Sequence, residues 1–155
     1  MTASSMRFAT VNAEGVVADL DLPATSYRAL LKLRALSEAG GRIEIDQADL
    51  AQRLDISRPA VTAALRHLDL AQLVKKTRNG VYQLNAMLAG YLTPADCAAA
   101  LADMDPAERL NAPDFVERYH EAVKMYQDQL AQKRQAREQQ KKAVAVRRGA
   151  LHAVG

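Results

Sequence analysis

The stretch DQADLAQRLDISRPAVTAALRHL, Asp46 to Leu68, reads as two short helices joined by a tight turn. Asp46 has the side chain of an N-cap, and Asp49, three residues on, suits the return bond of a capping box. Leu50 and Leu54 stand four apart and so share one face. Asp55-Ile56-Ser57 is too short for anything but a turn. Ser57 is the next N-cap, with Pro59 in the first turn, where a missing N–H costs nothing. The second helix, residues 58–68, sets Val61, Ala64, Leu65 and Leu68 at the i, i+3, i+4, i+7 spacing of a buried face.

Its other face carries the functional signal. At about 100° per residue, Pro59, Thr62, Ala63 and Arg66 point away from Val61 and Leu65, and Arg58 flanks them. That face is small, neutral or basic, with no acid before Asp69. It suits close approach to a phosphate-lined groove, where arginine reaches a guanine edge or a phosphate and threonine a base edge or a thymine methyl. A helix-turn-helix lays its second helix in the major groove. Ser57, Arg58, Pro59, Thr62, Ala63 and Arg66 are therefore expected at a DNA surface. The alternative is a helical hairpin packed inside an ordinary bundle, which would usually carry acids on its outer face too.

The flanking sequence fits the first reading. Upstream, Pro23 opens a helix expected to end at Gly40-Gly41, with Tyr27, Leu30, Leu31, Leu33 and Leu36 as a broad apolar face. Arg42-Ile43-Glu44-Ile45 alternates like a very short strand. Downstream, Leu73–Thr77 and Val81–Asn85 read as two strands around Arg78-Asn79-Gly80, and Asn-Gly is a strong hairpin signal because both residues tolerate positive φ. Lys75, Lys76, Arg78 and Asn79 would place this hairpin, residues 73–85, against DNA phosphates or the adjacent minor groove. A merely solvated basic hairpin is the alternative. Helix, strand, helix, helix, hairpin is the order of a winged helix-turn-helix. The fold class is thus mainly α with a small β-hairpin, α+β, carrying a C-terminal helical extension.

Length and composition agree. The 155 residues allow one domain with an appended element, and the apolar fraction of 49% allows a real core. The net charge of +3 is unevenly spread: residues 1–25 carry −2, 26–90 carry +4, 91–119 carry −4 and 120–155 carry +5. Separated basic blocks suggest a polyanion partner. The single Cys97 has no partner for an internal disulfide, and a reduced cytoplasmic compartment fits. No apolar run reaches membrane-helix length and no signal peptide opens the sequence, so a soluble intracellular protein with no membrane partner is expected.

The chain divides into four expected segments. Residues 1–22 form an N-terminal arm or a small hairpin around Asn12–Gly15, with Met1–Ser5 disordered. Residues 23–92 are the winged domain. Residues 93–132 are a helical extension: Thr93 caps one helix, residues 105–113 are a turn or short helix, and Asp114–Glu117 is a capping box for the last helix. Val116, Tyr119, Val123, Tyr126 and Leu130, spaced 3, 4, 3, 4, make a two-heptad seam that either packs on the first helix or joins a dimer interface. Residues 133–155 are a basic, flexible tail, either a solvated helix or an arm adding phosphate contacts.

Residues 24–90 resemble the winged helix of the MarR-type superfamily and, more narrowly, the RepL family of plasmid replication proteins. The likeness lies in DLAQRLDISRPAVTAALRHL followed by the basic hairpin ending NGVYQLNAMLAG, with Ser57, Arg58, Gly80, Tyr82, Leu84, Asn85 and Gly90 at the matching places. Ala86 departs from the proline common there. The resemblance covers less than half of the chain. It implies double-stranded DNA as partner, binding at an origin or operator, a role in initiating or maintaining plasmid replication, and no catalytic residues. Replication proteins are then possible further partners. A two-fold DNA site would call for a homodimer.

Nothing points to an enzyme. His67, His120 and His152 lie in separate segments without a cysteine or carboxylate at metal spacing, and no glycine-rich phosphate loop is present, so neither metal nor cofactor is expected. His67 is expected at the surface or beside phosphate, and Cys97 as a buried structural thiol. The competing functions are a MarR-type transcriptional repressor and, less in keeping with the basic face, a protein adaptor.

Overall fold

The computed structural model describes residues 6–154; the expectation for Met1–Ser5 falls outside them. The elements are α1 (Ala13–Asp19), α2 (Ala24–Leu36), β1 (Arg42–Glu44), α3 (Gln47–Leu54), α4 (Arg58–Leu70), β2 (Val74–Arg78), β3 (Val81–Leu84), α5 (Pro94–Ala102), a 3-10 turn (Pro106–Glu108) and α6 (Phe115–Val154). They form a winged helix-turn-helix: a helical layer of α2, α3 and α4 and an antiparallel sheet in the order β1-β3-β2. The chain divides into two compact units, one up to His120 and one from Glu121 on.

The caps of the central pair form as their residue types demand. The Asp46 carboxylate accepts the Asp49 N–H at 2.7 Å, and the Ser57 hydroxyl accepts the Ala60 N–H at 3.2 Å. The Asp49 carboxylate accepts from the Arg53 side chain at 3.2 Å. Between the helices Asp55 adopts a left-handed conformation, φ 54°, and the Ile56 N–H reaches back to the Ala51 carbonyl at 3.0 Å. This reverses the chain in three residues. Arg28 of α2 donates to the Leu54 carbonyl at 2.8 Å, bringing a cation to the negative end of α3.

Val61, Ala64, Leu65 and Leu68 of α4 are buried, as their spacing requires. With Leu33, Ile43, Leu50, Leu73, Leu84 and Leu88 they make the core. Each fully buried leucine contributes about 1.5–3 kcal/mol relative to exposure. Two buried polar residues fasten elements together. The Ser26 hydroxyl donates to the Ala64 carbonyl at 3.3 Å, joining α2 to α4. The Asn85 amide donates to the Gln72 carbonyl at 3.0 Å and the Glu108 carbonyl at 2.7 Å, while its oxygen accepts the Met87 N–H at 2.9 Å. Gly41, at φ 95°, turns the chain into β1 where a Cβ would lie 2.9 Å from that of Ala89.

Several expectations are corrected. The segment around Asn12–Gly15 is not a hairpin: Ala13, Val17 and Leu20, spaced i, i+4, i+7, are buried, and this helical period outweighs the turn-forming residues. Phe8 and Tyr91 exchange backbone hydrogen bonds of 2.8 Å, pinning the segment before α1 to the chain after β3. Helix α2 ends at Leu36 rather than at Gly40-Gly41, because Ser37 turns extended and its hydroxyl donates to the Arg34 carbonyl at 2.7 Å. Its buried face is also narrower than expected: Ser26, Ala29, Leu30 and Leu33 are buried, whereas Leu31 is 63% exposed. In the β2–β3 turn only Gly80 takes positive φ, 76°. A bulge between Lys76 and Arg78 absorbs the remaining twist in place of a left-handed Asn79.

In the second unit, residues 121–154 are helical. Met125, Leu130, Val144, Val146 and Leu151 are exposed on it.

Candidate nucleic-acid interface

On α4, Arg58, Pro59, Thr62, Ala63 and Arg66 are all exposed, with Ser57 exposed at the cap. Helical spacing puts Pro59, Ala63 and Arg66 on the side away from Val61, Leu65 and Leu68, with Thr62 and Arg58 flanking them. The two small residues, Ala63 and Pro59, leave that side low in profile. The Thr62 hydroxyl sits 3.1 Å from the Arg58 carbonyl and 3.0 Å from the Gln47 side-chain oxygen. Gln47, at the start of α3, therefore joins this surface. Sequence reasoning missed it, since residues 15 apart meet here only through the angle between α3 and α4.

An open concavity lies between α4 and the hairpin. Gln47, Thr62, Leu65, Arg66, Asp69, Val74, Lys76 and Tyr82 line it. Strand alternation explains which hairpin residues take part. Lys76 pairs with Tyr82 in register, so both side chains share the face toward α4. Lys75 pairs with Gln83 and faces the other way. There its ammonium is bound by the Glu108 carboxylate. That hydrogen bond raises the Lys75 pKa against a smaller opposing effect of burial. Of the ten residues expected at the surface, the structure thus brings Lys76 beside α4 and leaves Lys75 on the far face, neutralised. Arg78 and Asn79 are exposed at the hairpin tip. Asp69 closes one end of the concavity with a negative charge, which limits the basic surface on that side.

His67 is not at a phosphate-facing surface. It is half-buried, with its Nδ1 3.3 Å from the Tyr119 hydroxyl. Burial raises the Tyr119 pKa. Cys97 is buried and free. No group of three or more potential metal ligands occurs among the described residues, and no helix there is long and apolar enough to cross a membrane.

The stretch that builds this surface has a counterpart among known families. Residues 20–81 match the MarR family model. The MarR-like stretch runs from the end of α1 to the start of β3, so it contains the helix-turn-helix and the outgoing strand of the wing. Tyr82, Leu84, Asn85 and Gly90, on which the narrower RepL likeness rests, lie beyond it. No curated protein and no solved structure matches the chain.

Proposed function

We propose that the chain is a sequence-specific double-stranded DNA-binding regulator, with α4 in the major groove and the β2–β3 hairpin on the flanking backbone. The carrying observation is the outer face of α4 from Arg58 to Arg66, which holds no acid before Asp69 and borders with Lys76 the concavity that Asp69 also lines. In this reading Arg58, Thr62 and Arg66 contact base edges or phosphates, Pro59 and Ala63 allow close approach, and the Ser57 end of α4 offers backbone N–H groups to a phosphate. Lys76, Arg78 and Asn79 act from the hairpin. Lys75 contributes little, because Glu108 already balances its charge. The protein would act as a homodimer on a two-fold site.

The MarR match supports transcriptional regulation. The RepL-like return strand, Gly80, Tyr82, Leu84 and Asn85, supports the second reading, plasmid replication initiation or maintenance at an origin. One experiment addresses both. Purified protein is titrated at several salt concentrations on fragments tiled across its own locus, beside an Arg58→Ala, Arg66→Ala double variant. Tight binding to one fragment, lost in the variant, is the expected result, and a promoter or an origin in that fragment selects the role. Equal, weak and steeply salt-dependent binding to every fragment would overturn the sequence-specific reading. Binding to a protein partner that survives the double substitution, without DNA binding, would favour the adaptor.

A further inference from the structure

The second unit carries seven cations between Lys133 and Arg148 against the single acid Glu138. All are exposed, and none of the seven forms an ion pair among the described residues, although Glu138 has Arg134 and Lys142 four residues to either side. Because this segment is helical, the positions of the charges around the axis are fixed. At about 100° per residue, Arg147, Lys133, Arg137, Arg148, Lys141 and Arg134 fall within an arc of about 140°. An arc of about 80° on the other side, from Gln135 through Val146, Gln139 and Gln132 to Ala143, holds no charge, and Glu138 and Lys142 fall between the two arcs. The side chains of Arg137, Lys141 and Arg148 line one shallow depression with Gln140, Val144 and Ala145.

A helix that is only solvated gains nothing from collecting its cations on one side, where they repel one another. It would scatter them or pair them with acids at i, i+4. A stripe of six cations along about 22 Å of helix suits a partner with a line of negative charge at similar density. Each strand of duplex DNA offers one charge per about 3.4 Å of the axis. Two other partners fit worse. A helix lying on an anionic lipid surface needs a bulky apolar face opposite its basic one, and here glutamine and alanine occupy that place with Val146 as the one bulky apolar residue among them. A second copy zipped along the seam of Val123, Tyr126 and Leu130 would next set Lys133 against Lys133 and Arg137 against Arg137.

We propose that the helical segment 133–148 is a second DNA-binding element, which grips the phosphate backbone without regard to sequence through Lys133, Arg134, Arg137, Lys141, Arg147 and Arg148. It rests on the reading of the chain as a DNA-binding protein for its partner, yet it fails or stands separately from the base-reading role of α4. The element lengthens the time spent on nonspecific DNA, and the α4 surface selects the site.

The test uses the full chain and a random-sequence duplex of about 30 bp, with affinity measured against salt concentration. Lys133→Gln, Arg137→Gln, Lys141→Gln and Arg148→Gln together keep a good helix former at each position, and circular dichroism checks that helix content is unchanged. The salt slope is expected to fall by about two to four units, at about 0.9 for each phosphate that is no longer neutralised, with at least about tenfold weaker binding at low salt. Singly, Arg137→Gln should lower the slope by about one unit and Lys142→Gln, off the stripe, by clearly less. The Arg58→Ala, Arg66→Ala chain should still bind the random duplex and should lose the same slope increment when the four glutamines are added. An unchanged slope with intact helix overturns the proposal, as does an equal effect of Arg137→Gln and Lys142→Gln, or loss of all random-duplex binding in the Arg58→Ala, Arg66→Ala chain. So does cosedimentation with phosphatidylserine–phosphatidylcholine vesicles that is lost in the fourfold variant while its DNA slope stays.

Discussion

The winged segment, residues 26–90, and the C-terminal helical unit are both basic, but they spend their cations differently. In the winged segment at least half are committed. Arg28 serves the Leu54 carbonyl, Arg34 serves Glu14 and the Leu88 carbonyl, Arg42 serves Glu38 and Glu44, Arg53 serves Asp49, and Lys75 serves Glu108. In residues 133–148 none of the seven takes part in an ion pair among the described residues. A block's net charge therefore says little about its affinity for a polyanion. What matters is which cations the fold has already used. In the winged segment the cations of the proposed surface are few, exposed and fixed in place on α4 and the hairpin, an arrangement suited to selecting a sequence. In the C-terminal unit the cations are spread along one side of a helix, an arrangement suited to holding any sequence.

The largest expected contrast between the two regions is in stability. Leu68→Ala, in the core beneath the α4 surface, should cost about 2–5 kcal/mol, read from urea unfolding. Leu151→Ala, 75% exposed, should stay within about 0.5 kcal/mol. Comparable effects would mean that the C-terminal unit is as tightly packed as the first. Next is the cap of α4. Ser57→Ala removes the acceptor for the Ala60 N–H and should cost about 1 kcal/mol, without changing the salt slope of DNA binding. A third comparison lies inside the hairpin. Lys76→Ala should lower that slope by about one unit, whereas Lys75→Ala should leave it nearly unchanged, and Glu108→Gln should make position 75 count. Equal effects of the two lysine substitutions would break the distinction between committed and available charge.

The smallest effect expected is on alkaline stability. Burial favours the protonated hydroxyls of Tyr91 and Tyr119 and raises both pKa values. The folded chain then keeps protons that the unfolded chain releases above about pH 10, so stability falls as pH rises through that range. Lys75 acts in the same direction, since its raised pKa adds stability that is present below the ordinary lysine value and lost above it. Unfolding midpoints between pH 8 and 11 (roughly spanning the tyrosine range) check this. A midpoint that rises with pH there would contradict it.

Much of the fold can be read from residues close in sequence, because the forces that set it are local. Ser57 and Asp46 cap helices because their side chains reach an N–H three residues on, and Val61, Ala64, Leu65 and Leu68 are buried because their spacing makes one face. The narrower features depend on residues far apart. Lys75 and Lys76 look alike in sequence. One is tied to Glu108, 33 residues away, and the other borders α4. Gln47 meets Thr62 only once α3 and α4 have crossed. In α1 the helical signal is present in Ala13, Val17 and Leu20, but Asn12 and Gly15 suggest a turn. His67 turns inward because Tyr119, 52 residues later, supplies it with a partner.

Asn85 has a consequence for the order in which the molecule assembles. Its amide joins the corner at Gln72 to the turn at Glu108, 13 and 23 residues away in opposite directions. The first link can close as soon as the hairpin forms, whereas the second must wait for a longer loop to be drawn in, at greater entropic cost. The hairpin is thus expected to fold ahead of the segment that follows it, and Asn85 acts as a latch that closes last. A latch of that kind governs how fast the native chain opens more than how fast it forms.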